Sequence, residues 1–267
     1  MLSAFTTFLI DLDGVIYRGE EILPGAKALV DWLNATHKKY LFLTNNSFAS
    51  EVQVIDKLAR LGISTDGSHV MGAGQAAVQN IARRFPSGTI YVVGEQPLIA
   101  MVQAHGLHVA PLPAPDTRPA HKIDAVLVGL DRTFDYKKLT GATTAVRAGA
   151  TFIAINRDPL LPIKNGLVPG CGAMVAAIEA ASSIHPEVIG KPQPGLLQEA
   201  MHKLNSTPQE TVMVGDGLDT DIAGGLAAKT HTLFVLSGKD SRRDLATSPY
   251  QPELIYEDLA AVMKDIL

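Results

Sequence analysis

The chain has 267 residues, of which 46% are hydrophobic, and carries a formal net charge of −4 with a pI near 6.0. This length can bury two cores, and the mildly acidic balance gives no support for nucleic-acid binding. Cys171 is the only cysteine, which excludes an internal disulfide and fits a reducing compartment. Because neither a signal peptide nor a bilayer-spanning segment is recognisable, we expect a cytoplasmic protein without a membrane partner.

The first informative segment is Asp11-Leu12-Asp13-Gly14, which directly follows the apolar run Phe8-Leu9-Ile10. The run predicts a buried strand, and alternation along it points Asp11 and Asp13 the same way. Two like charges this close repel unless a cation lies between them or one carboxyl is protonated. Such a pair can supply a nucleophile and a general acid, although a plain strand-to-turn ending is the alternative.

A second polar segment, Thr44-Asn45-Asn46-Ser47, follows the predicted strand Tyr40-Leu41-Phe42-Leu43. Ser50 and Gln53 match a capping box, which predicts a helix from about Ser50. A hydroxyl and backbone N–H groups just ahead of a helix form an anion site. An ordinary polar turn between a strand and a helix has the same composition.

The third candidate is Lys191, in the segment Gly190-Lys191-Pro192-Gln193-Pro194. Proline is favourable in the first helical turn, so a helix is predicted from about Pro194 to Leu204. An ammonium at the amino end of a helix is disfavoured by the helix dipole unless an anion is present. Lys191 is therefore either a ligand for an anion or a solvated surface lysine.

The fourth segment, Gly215 to Asp221, follows the predicted strand Thr211-Val212-Met213-Val214. It places Asp216 at the strand end and Asp221 at the start of the next helix. Carboxylate oxygens suit Mg²⁺ or Ca²⁺, and the eight histidines do not cluster with these acids, which argues against zinc. Open α/β sheets bind ligands at such strand ends.

The ordered set of Asp-x-Asp, Thr, Lys and paired Asp resembles the four motifs of the haloacid dehalogenase-like superfamily. Further segments resemble its NagD-type branch, class IIA, which includes 4-nitrophenylphosphatase-like enzymes: residues 129–134, 155–158, 168–173 and 235–238. The resemblance covers nearly the whole chain. It implies an α/β fold, with a Rossmann-like three-layer core around a parallel sheet. A large α/β cap of the C2 type would lie between the second and third motifs.

The resemblance also implies Mg²⁺-dependent hydrolysis of small phosphomonoesters through an aspartyl-phosphate. In that family the residue at Asp11 is the nucleophile, and the residue at Asp13 protonates the leaving group and then activates water. Asp11, the Asp13 carbonyl and Asp216 would hold Mg²⁺.

Other residues take binding and supporting roles by the same resemblance. Positive charge at the phosphoryl oxygens would stabilise the transition state. The implied phosphate ligands are Thr44, Asn45, Asn46 and Lys191. Asp221 would orient Lys191 or a metal-bound water, and Gly215 would support it.

Spacing predicts where a second domain lies. The short connection from Asp13 to Thr44 fits one helical crossover, whereas a far longer stretch separates Thr44 from Lys191. Residues 1–86 and 181–267 are predicted to form the core, and residues 87–180 the cap. Alternating strands and helices in the cap predict a second α/β module.

Substrate selectivity is expected to come from the cap, because every candidate substrate shares the phosphoryl group. The candidates lie in the loop predicted between a strand and the last cap helix: Asn156, Arg157, Asp158 and Lys164. Arg157 could form a forked pair with a carboxylate or a second phosphate, or be a solvated loop arginine. Besides a small phosphate ester, the expected partner is a second copy bound through the cap.

Three alternatives are weighed on the same residues. A carbon–halogen hydrolase would have little use for Asp13, Asp216 and Mg²⁺. A phosphotransferase or phosphomutase of the same fold keeps all four motifs, but its cap is expected between the first two. A phospho-acceptor signalling domain has its acids, Thr and Lys in a different order on a shorter chain. Nucleotides, sugar phosphates, phosphoglycolate, pyridoxal phosphate and 4-nitrophenyl phosphate remain open as substrates.

Overall fold

The structure, a computed structural model, describes residues 2–45, 51–111, 122–163 and 166–266, with only the backbone of Glu51, Pro162 and Ile163. The chain divides into a first unit, Met1–Gly72 with Lys191–Leu267, and a second unit, Ala73–Gly190. Three residues of the sequence predictions lie outside the described residues. They are the site residues Asn46 and Lys164, and Ser50, which is predicted to cap the amino end of a helix.

Strands and helices alternate along most of the chain. The strands are β1 (Thr7–Asp11), β2 (Tyr17–Arg18), β3 (Glu21–Ile22), β4 (Lys39–Thr44), β5 (Val70–Gly72), β6 (Thr89–Val93), β7 (His108–Val109), β8 (Ala125–Val128), β9 (Thr151–Ala154), β10 (Leu160–Ile163), β11 (Gly166–Pro169), β12 (Glu187–Val188), β13 (Thr211–Gly215), β14 (His231–Val235) and β15 (Leu254–Tyr256). The helices are α1 (Ala26–Ala35), α2 (Glu51–Arg60), α3 (Ala73–Arg84), α4 (Gln96–Ala104), α5 (Tyr136–Arg147), α6 (Cys171–Ser182), α7 (Gly195–Leu204), α8 (Ala223–Ala228), α9 (Arg242–Thr247) and α10 (Leu259–Ile266).

A parallel sheet in the order β15-β14-β13-β1-β4-β5 forms the centre of the first unit. Strands covered on both faces read as continuous apolar runs, which is why the sequence reveals β1, β4 and β13. Leu9 of β1 pairs with Leu41 of β4 on one side and Met213 of β13 on the other. The register therefore brings the carboxyl ends of these three strands to one edge.

Helices cover both faces of this sheet, which makes the predicted three layers. On one face, Phe8 and Ile10 share a core with Leu33 of α1, Leu58 of α2 and Val262 of α10. On the other face, α7 packs against β1 and β4, and α8 packs against β14. Alternate side chains of each strand thus serve different cores.

The strand order changes direction at β1. The chain continues to β4 and β5 on one side of β1, and after the second unit it returns to β13, β14 and β15 on the other side. Crossovers that leave a strand in opposite directions open a crevice at its carboxyl end, where open α/β sheets bind ligands. This topology places the expected ligand site next to Asp11.

The second unit has its own parallel sheet, in the order β12-β9-β8-β6-β7. Its core contains Tyr91, Val126 and Phe152 from the sheet, with Val146 of α5 and Ile178 of α6. It is a second α/β module, as the alternation of elements predicts.

The second unit is longer at both ends than the predicted 87–180, since it spans Ala73–Gly190. At its start, α3 packs against α4. At its end, β12 adds to the sheet beside β9, and Glu187 of β12 forms an ion pair with Arg84 at 2.5 Å. Helix α3 and strand β12 therefore belong to the second unit.

A hairpin replaces part of the loop predicted between β9 and α6. Strands β10 and β11 pair antiparallel, with Leu161 opposite Val168. Prolines within both strands interrupt the apolar pattern, and proline is tolerated in such edge strands. The prediction of one long loop is wrong for residues 160–163 and 166–169, while residues 155–158 remain a connection. In the part of the chain that the structure describes, no helix is long and apolar enough to cross a membrane.

Candidate active site

Three acidic side chains converge at the carboxyl edge of the first sheet. Asp11 is the last residue of β1, Asp216 directly follows β13, and Asp221 lies in the wide π-helical turn Leu218–Ile222 that leads into α8. One carboxylate oxygen from each lies within 4.8 Å of the others. The adjacency of β1 and β13 produces this cluster. The sequence predicts the side chains of Asp11 and Asp216 as metal ligands and gives Asp221 a supporting role.

Lys191 bridges two of these carboxylates, those of Asp11 and Asp221. Its Nζ donates to Asp11 Oδ1 at 2.5 Å and to Asp221 Oδ1 at 2.6 Å, and its side chain is only 3% exposed. A buried ammonium is tolerated when it is paired and hydrogen-bonded. Burial alone would lower the pKa of Lys191, but the two carboxylates raise it above its ordinary value. A solvated surface lysine is therefore not what the structure shows.

Asp221 connects this lysine to the Asp216 segment. Its Oδ1 accepts from Lys191, and its Oδ2 accepts from the backbone N–H groups of Asp216 at 3.2 Å and Gly217 at 3.0 Å. A Cβ on Gly215 would lie 2.1 Å from Asp221 Cβ, so glycine is required there for the close approach. Asp221 thus orients Lys191 and the turn after β13 together.

The electrostatics of the cluster favour a bound cation. Burial raises the pKa of Asp11 to about 8, with Lys191 acting in the opposite direction and Asp221 and Asp216 adding to the rise. Burial and the nearby Asp221 raise the pKa of Asp216 to about 6. Like charges held this close are relieved by a cation between them.

Two glycines pack tightly against the Asp216 carboxylate. A Cβ on Gly14 would lie 2.0 Å from Asp216 Oδ2, and a Cβ on Gly238 would lie 1.8 Å from it. Both positions therefore have to be glycine, because no side chain fits between either backbone and the carboxylate. Divalent cations such as Mg²⁺ and Ca²⁺ bind hard oxygen donors. The carboxylates of Asp11, Asp216 and Asp221 therefore form a candidate divalent-cation site.

Asn45 makes a contact that the sequence does not indicate. Its Nδ2 donates to the Lys191 carbonyl at 2.8 Å, and its Oδ1 accepts from the Lys191 N–H at 2.9 Å. The amide thus ties the loop after β4 to the backbone of Lys191, just before α7. Thr44, at the end of β4, is buried beside it.

Asp13 lies at the solvent side of this cluster and is exposed. The protein around it limits its hydration and raises its pKa, while the charges of Lys57 and Lys191 lower it. Lys57 Nζ lies 3.6 Å from the ring centroid of Tyr17, in the hairpin that follows the Asp-x-Asp segment. A carboxyl with a raised pKa at the open side of a site is suited to exchanging a proton with a substrate.

Comparisons with known proteins show the family to which the chain belongs. A family model described as haloacid dehalogenase-like hydrolase matches residues 8–108, and a HAD-hydrolase-like model matches residues 188–262. The acid sugar phosphatase of Staphylococcus epidermidis is 33% identical over 265 residues, 99% of each chain. The chain belongs to the haloacid dehalogenase-like hydrolases.

Solved structures define the branch of the family. A mutant of the thermostable p-nitrophenylphosphatase from Bacillus stearothermophilus has a TM-score of 0.86 at 35% identity, covering 96% of this chain and 97% of that one. NagD from E. coli K-12 has a TM-score of 0.84 at 31% identity, covering 96% and 98%. The protein is a class IIA, NagD-type phosphatase, as its motifs suggest, rather than a carbon–halogen hydrolase or a signalling module.

Three of the selectivity candidates of this phosphatase, Asn156, Arg157 and Asp158, lie in the connection between β9 and β10 of its second unit. Asn156 is buried and its Oδ1 accepts from the Asp158 N–H at 3.2 Å, while the Asp158 carbonyl accepts from the Gly172 N–H at 2.9 Å. Arg157 Nη2 donates to Glu179 Oε2 on α6 at 2.6 Å. A role in selectivity therefore stays a prediction for these residues, and Arg157 already has a partner.

Proposed function

We propose that this NagD-type phosphatase hydrolyses small phosphomonoesters in a Mg²⁺-dependent reaction that passes through an aspartyl-phosphate on Asp11. The observation that carries the proposal is the contact of Asp11 Oδ1 with the buried ammonium of Lys191 at the end of β1. It provides a carboxylate nucleophile next to fixed positive charge, at the point where the sheet topology places a ligand.

The residues that would hold Mg²⁺ are the carboxylates of Asp11 and Asp216 together with the backbone carbonyl of Asp13. When bound, the ion would neutralise negative charge on the phosphoryl oxygens and on the attacking carboxylate. Asp221 is engaged by Lys191 and by two backbone N–H groups, so it acts as a support for this set.

Asp11 and Asp13 carry out the first step, in which the phosphoryl group passes from the substrate to the enzyme. An oxygen of Asp11 forms a bond to phosphorus as the bond to the leaving oxygen breaks, and Asp13 gives its proton to that oxygen. Lys191, Thr44 and the Asn45 N–H bind the phosphoryl oxygens, whose negative charge spreads in the transition state. Asn46 belongs to the same proposed set.

In the second step, which releases the phosphoryl group to water, Asp13 changes from an acid to a base. As a carboxylate it takes a proton from water, the water oxygen attacks phosphorus, and the bond from phosphorus to Asp11 breaks. The products are inorganic phosphate and the free carboxylate of Asp11, so the enzyme returns to its starting state. A phosphotransferase would pass the group to another acceptor, and measured release of free phosphate tests that difference.

Asp13→Asn should separate substrates by their leaving group. General acid catalysis contributes about 10²- to 10⁴-fold, and the benefit is largest for alkoxides, which leave poorly. We expect kcat on a sugar phosphate to fall by about this factor and kcat on 4-nitrophenyl phosphate to fall much less. Steady-state kinetics on both substrates measures this, and equal losses would contradict a general acid role for Asp13.

Removal of Mg²⁺ should abolish turnover reversibly. After exhaustive dialysis against EDTA we expect no measurable phosphate release, and full recovery when Mg²⁺ is restored. Ca²⁺ should substitute poorly, because its larger and looser coordination shell would misplace the phosphoryl group. Undiminished activity in the chelated protein would count against the metal-dependent proposal.

The proposed substrates are sugar phosphates and 4-nitrophenyl phosphate. A relative at 33% identity is an acid sugar phosphatase and a neighbour in structure is a p-nitrophenylphosphatase, which supports this class. We propose that the second unit, inserted between Thr44 and Lys191, is a C2-type cap that selects the organic part of the substrate. A panel of phosphomonoesters ranked by kcat/KM, with release of inorganic phosphate as the readout, tests the whole proposal.

A further inference from the structure

The loop after β14, Ser237–Asp240, reaches the acidic cluster from a part of the chain that the four motifs do not include. We infer that this segment, termed the β14 loop, is a positioning element that fixes the Asp216 carboxylate for Mg²⁺ binding. The inference rests on the proposed function, because it assumes that Asp216 is a ligand of the ion.

Hydrogen bonds from the β14 loop hold the carboxylate and its segment. The Lys239 N–H donates to Asp216 Oδ2 at 2.6 Å. The Asp240 N–H donates to the Asp216 carbonyl at 3.2 Å, and Asp240 Oδ2 accepts from the Leu218 N–H at 2.7 Å. The loop therefore fixes both the rotation of the Asp216 side chain and the path of the backbone around it.

Close packing adds a steric constraint. A Cβ on Gly238 would lie 1.8 Å from Asp216 Oδ2 and 2.4 Å from Asp216 Cγ, so any larger residue would displace the carboxylate. Gly238 does not have the positive φ that only glycine adopts easily, unlike Gly14, whose φ is +81°. Substitution at Gly238 would thus act on Asp216 by volume and leave the local backbone unstrained.

The same loop also contacts the Asp-x-Asp segment. Ser237 Oγ donates to the Gly14 carbonyl at 2.8 Å, and the Arg18 guanidinium donates to the Ser237 carbonyl. Gly14 directly follows Asp13, whose carbonyl is a proposed ligand. The β14 loop therefore sets the separation between the ligands that come from β1 and the ligand that comes from β13.

Outer hydrogen-bond partners of metal ligands affect affinity strongly, with losses of about 10- to 100-fold on mutation. The Lys239 side chain is separate from this function. It is half exposed, and its Nζ forms an ion pair with Asp219 Oδ1 at 2.5 Å. Only the backbone N–H of Lys239 reaches Asp216. This separation makes the inference testable.

The experiment is calorimetric titration of Mg²⁺ alone into the metal-free full-length protein. We expect Gly238→Ala to weaken Mg²⁺ affinity by about tenfold or more, with kcat recovering in part at saturating Mg²⁺. Gly74→Ala is the matched control, since a Cβ there would make an ordinary 3.5 Å contact with Ile155 Cδ1. Wild-type affinity in Gly238→Ala would overturn the inference.

A second pair of variants covers the case in which Gly238→Ala does not fold. Lys239→Pro removes the N–H that Asp216 accepts, whereas Lys239→Ala keeps it and removes only the ammonium. We expect weakened Mg²⁺ binding in the first and wild-type binding in the second. Equal affinities in the two would overturn the role of the β14 loop.

Asp216→Asn separates the inference from the function on which it rests. If the wild-type protein binds no Mg²⁺, or if Asp216→Asn binds it unchanged, the proposed metal site fails and the inference fails with it. If Mg²⁺ binding requires Asp216 but is insensitive to Gly238→Ala and Lys239→Pro, the inference about the loop fails alone.

Discussion

Replacing Asp11 by asparagine is expected to lower kcat by roughly 10⁴-fold or more, the scale seen when a nucleophile is removed. The amide keeps the size of the side chain but has no charge with which to attack phosphorus. Lys191 keeps Asp221 as a partner, and the amide oxygen can still accept from its ammonium, so the fold should persist. Steady-state rates on 4-nitrophenyl phosphate, together with circular dichroism, measure both effects.

Asp31→Asn is a suitable control for this experiment. Asp31 is an acid of the first unit with a 62% exposed side chain, paired only at the surface with Lys27. Its substitution should leave kcat unchanged. Acid quenching of a reaction with radiolabelled substrate should trap phosphoprotein in the wild type and none in Asp11→Asn, and near-normal hydrolysis by the latter would contradict the mechanism.

Lys191→Met should remove activity and also destabilise the fold. Methionine preserves the length and volume of the stem but leaves Asp11 and Asp221 buried without their common cation. Breaking a buried ion pair by removing one partner costs roughly 3–5 kcal/mol. We expect the free energy of unfolding in urea to fall by about that amount, with kcat below detection.

The loss in free energy of unfolding caused by Lys191→Met, termed its deficit, should depend on pH. Burial already raises the pKa of Asp11, and loss of the ammonium that lowers it would raise it further. An unfolded aspartate titrates near 3.9, so above about pH 4 the wild type and the variant both take up a proton at Asp11 on folding and lose stability alike. Above about pH 8 the wild type can fold with Asp11 charged, whereas the variant still has to take up the proton. The deficit of Lys191→Met in the metal-free protein should therefore shrink on acidification and be largest above neutral pH.

Lys27→Met gives the contrast for stability. The pair of Lys27 with Asp31 is exposed, and such surface pairs contribute about 0–1 kcal/mol. A similarly small change for Lys191→Met, at every pH, would show that the buried triad is not a significant source of stability. Retained phosphatase activity in that variant would show that Lys191 has no catalytic role.

The sequence predicts those parts of the fold that leave a local pattern. Strands β1, β4 and β13 are apolar runs because both of their faces are covered, and polar residues mark where they end. Two-residue strands such as β7 and β12 leave no such pattern. The predicted limits of the second unit differ from the observed ones because α3 reads as an amphipathic helix in isolation, and its residues do not state which core it will join.

The candidate site also contains residues that the sequence reveals and contacts that it does not. Asp11, Lys191 and Asp216 are visible in the sequence because side-chain chemistry carries their contacts. The Lys239 N–H is invisible because every residue except proline has one, and the Asn45 amide binds backbone atoms far along the chain. Glycines 14 and 238 are the local signal that could have pointed to a close approach, yet glycine serves equally in ordinary turns.

The hydrogen-bonded pairing of the Asn45 side chain with the backbone of Lys191 has a consequence for evolution. It closes a loop whose ends are 146 positions apart and which contains the whole second unit. The entropy of closing a loop grows only logarithmically, so doubling its length costs about 0.6 kcal/mol. Because the amide recognises peptide groups at the base of the loop, domains of very different size could be exchanged there while the residues around Asp11 stay in register.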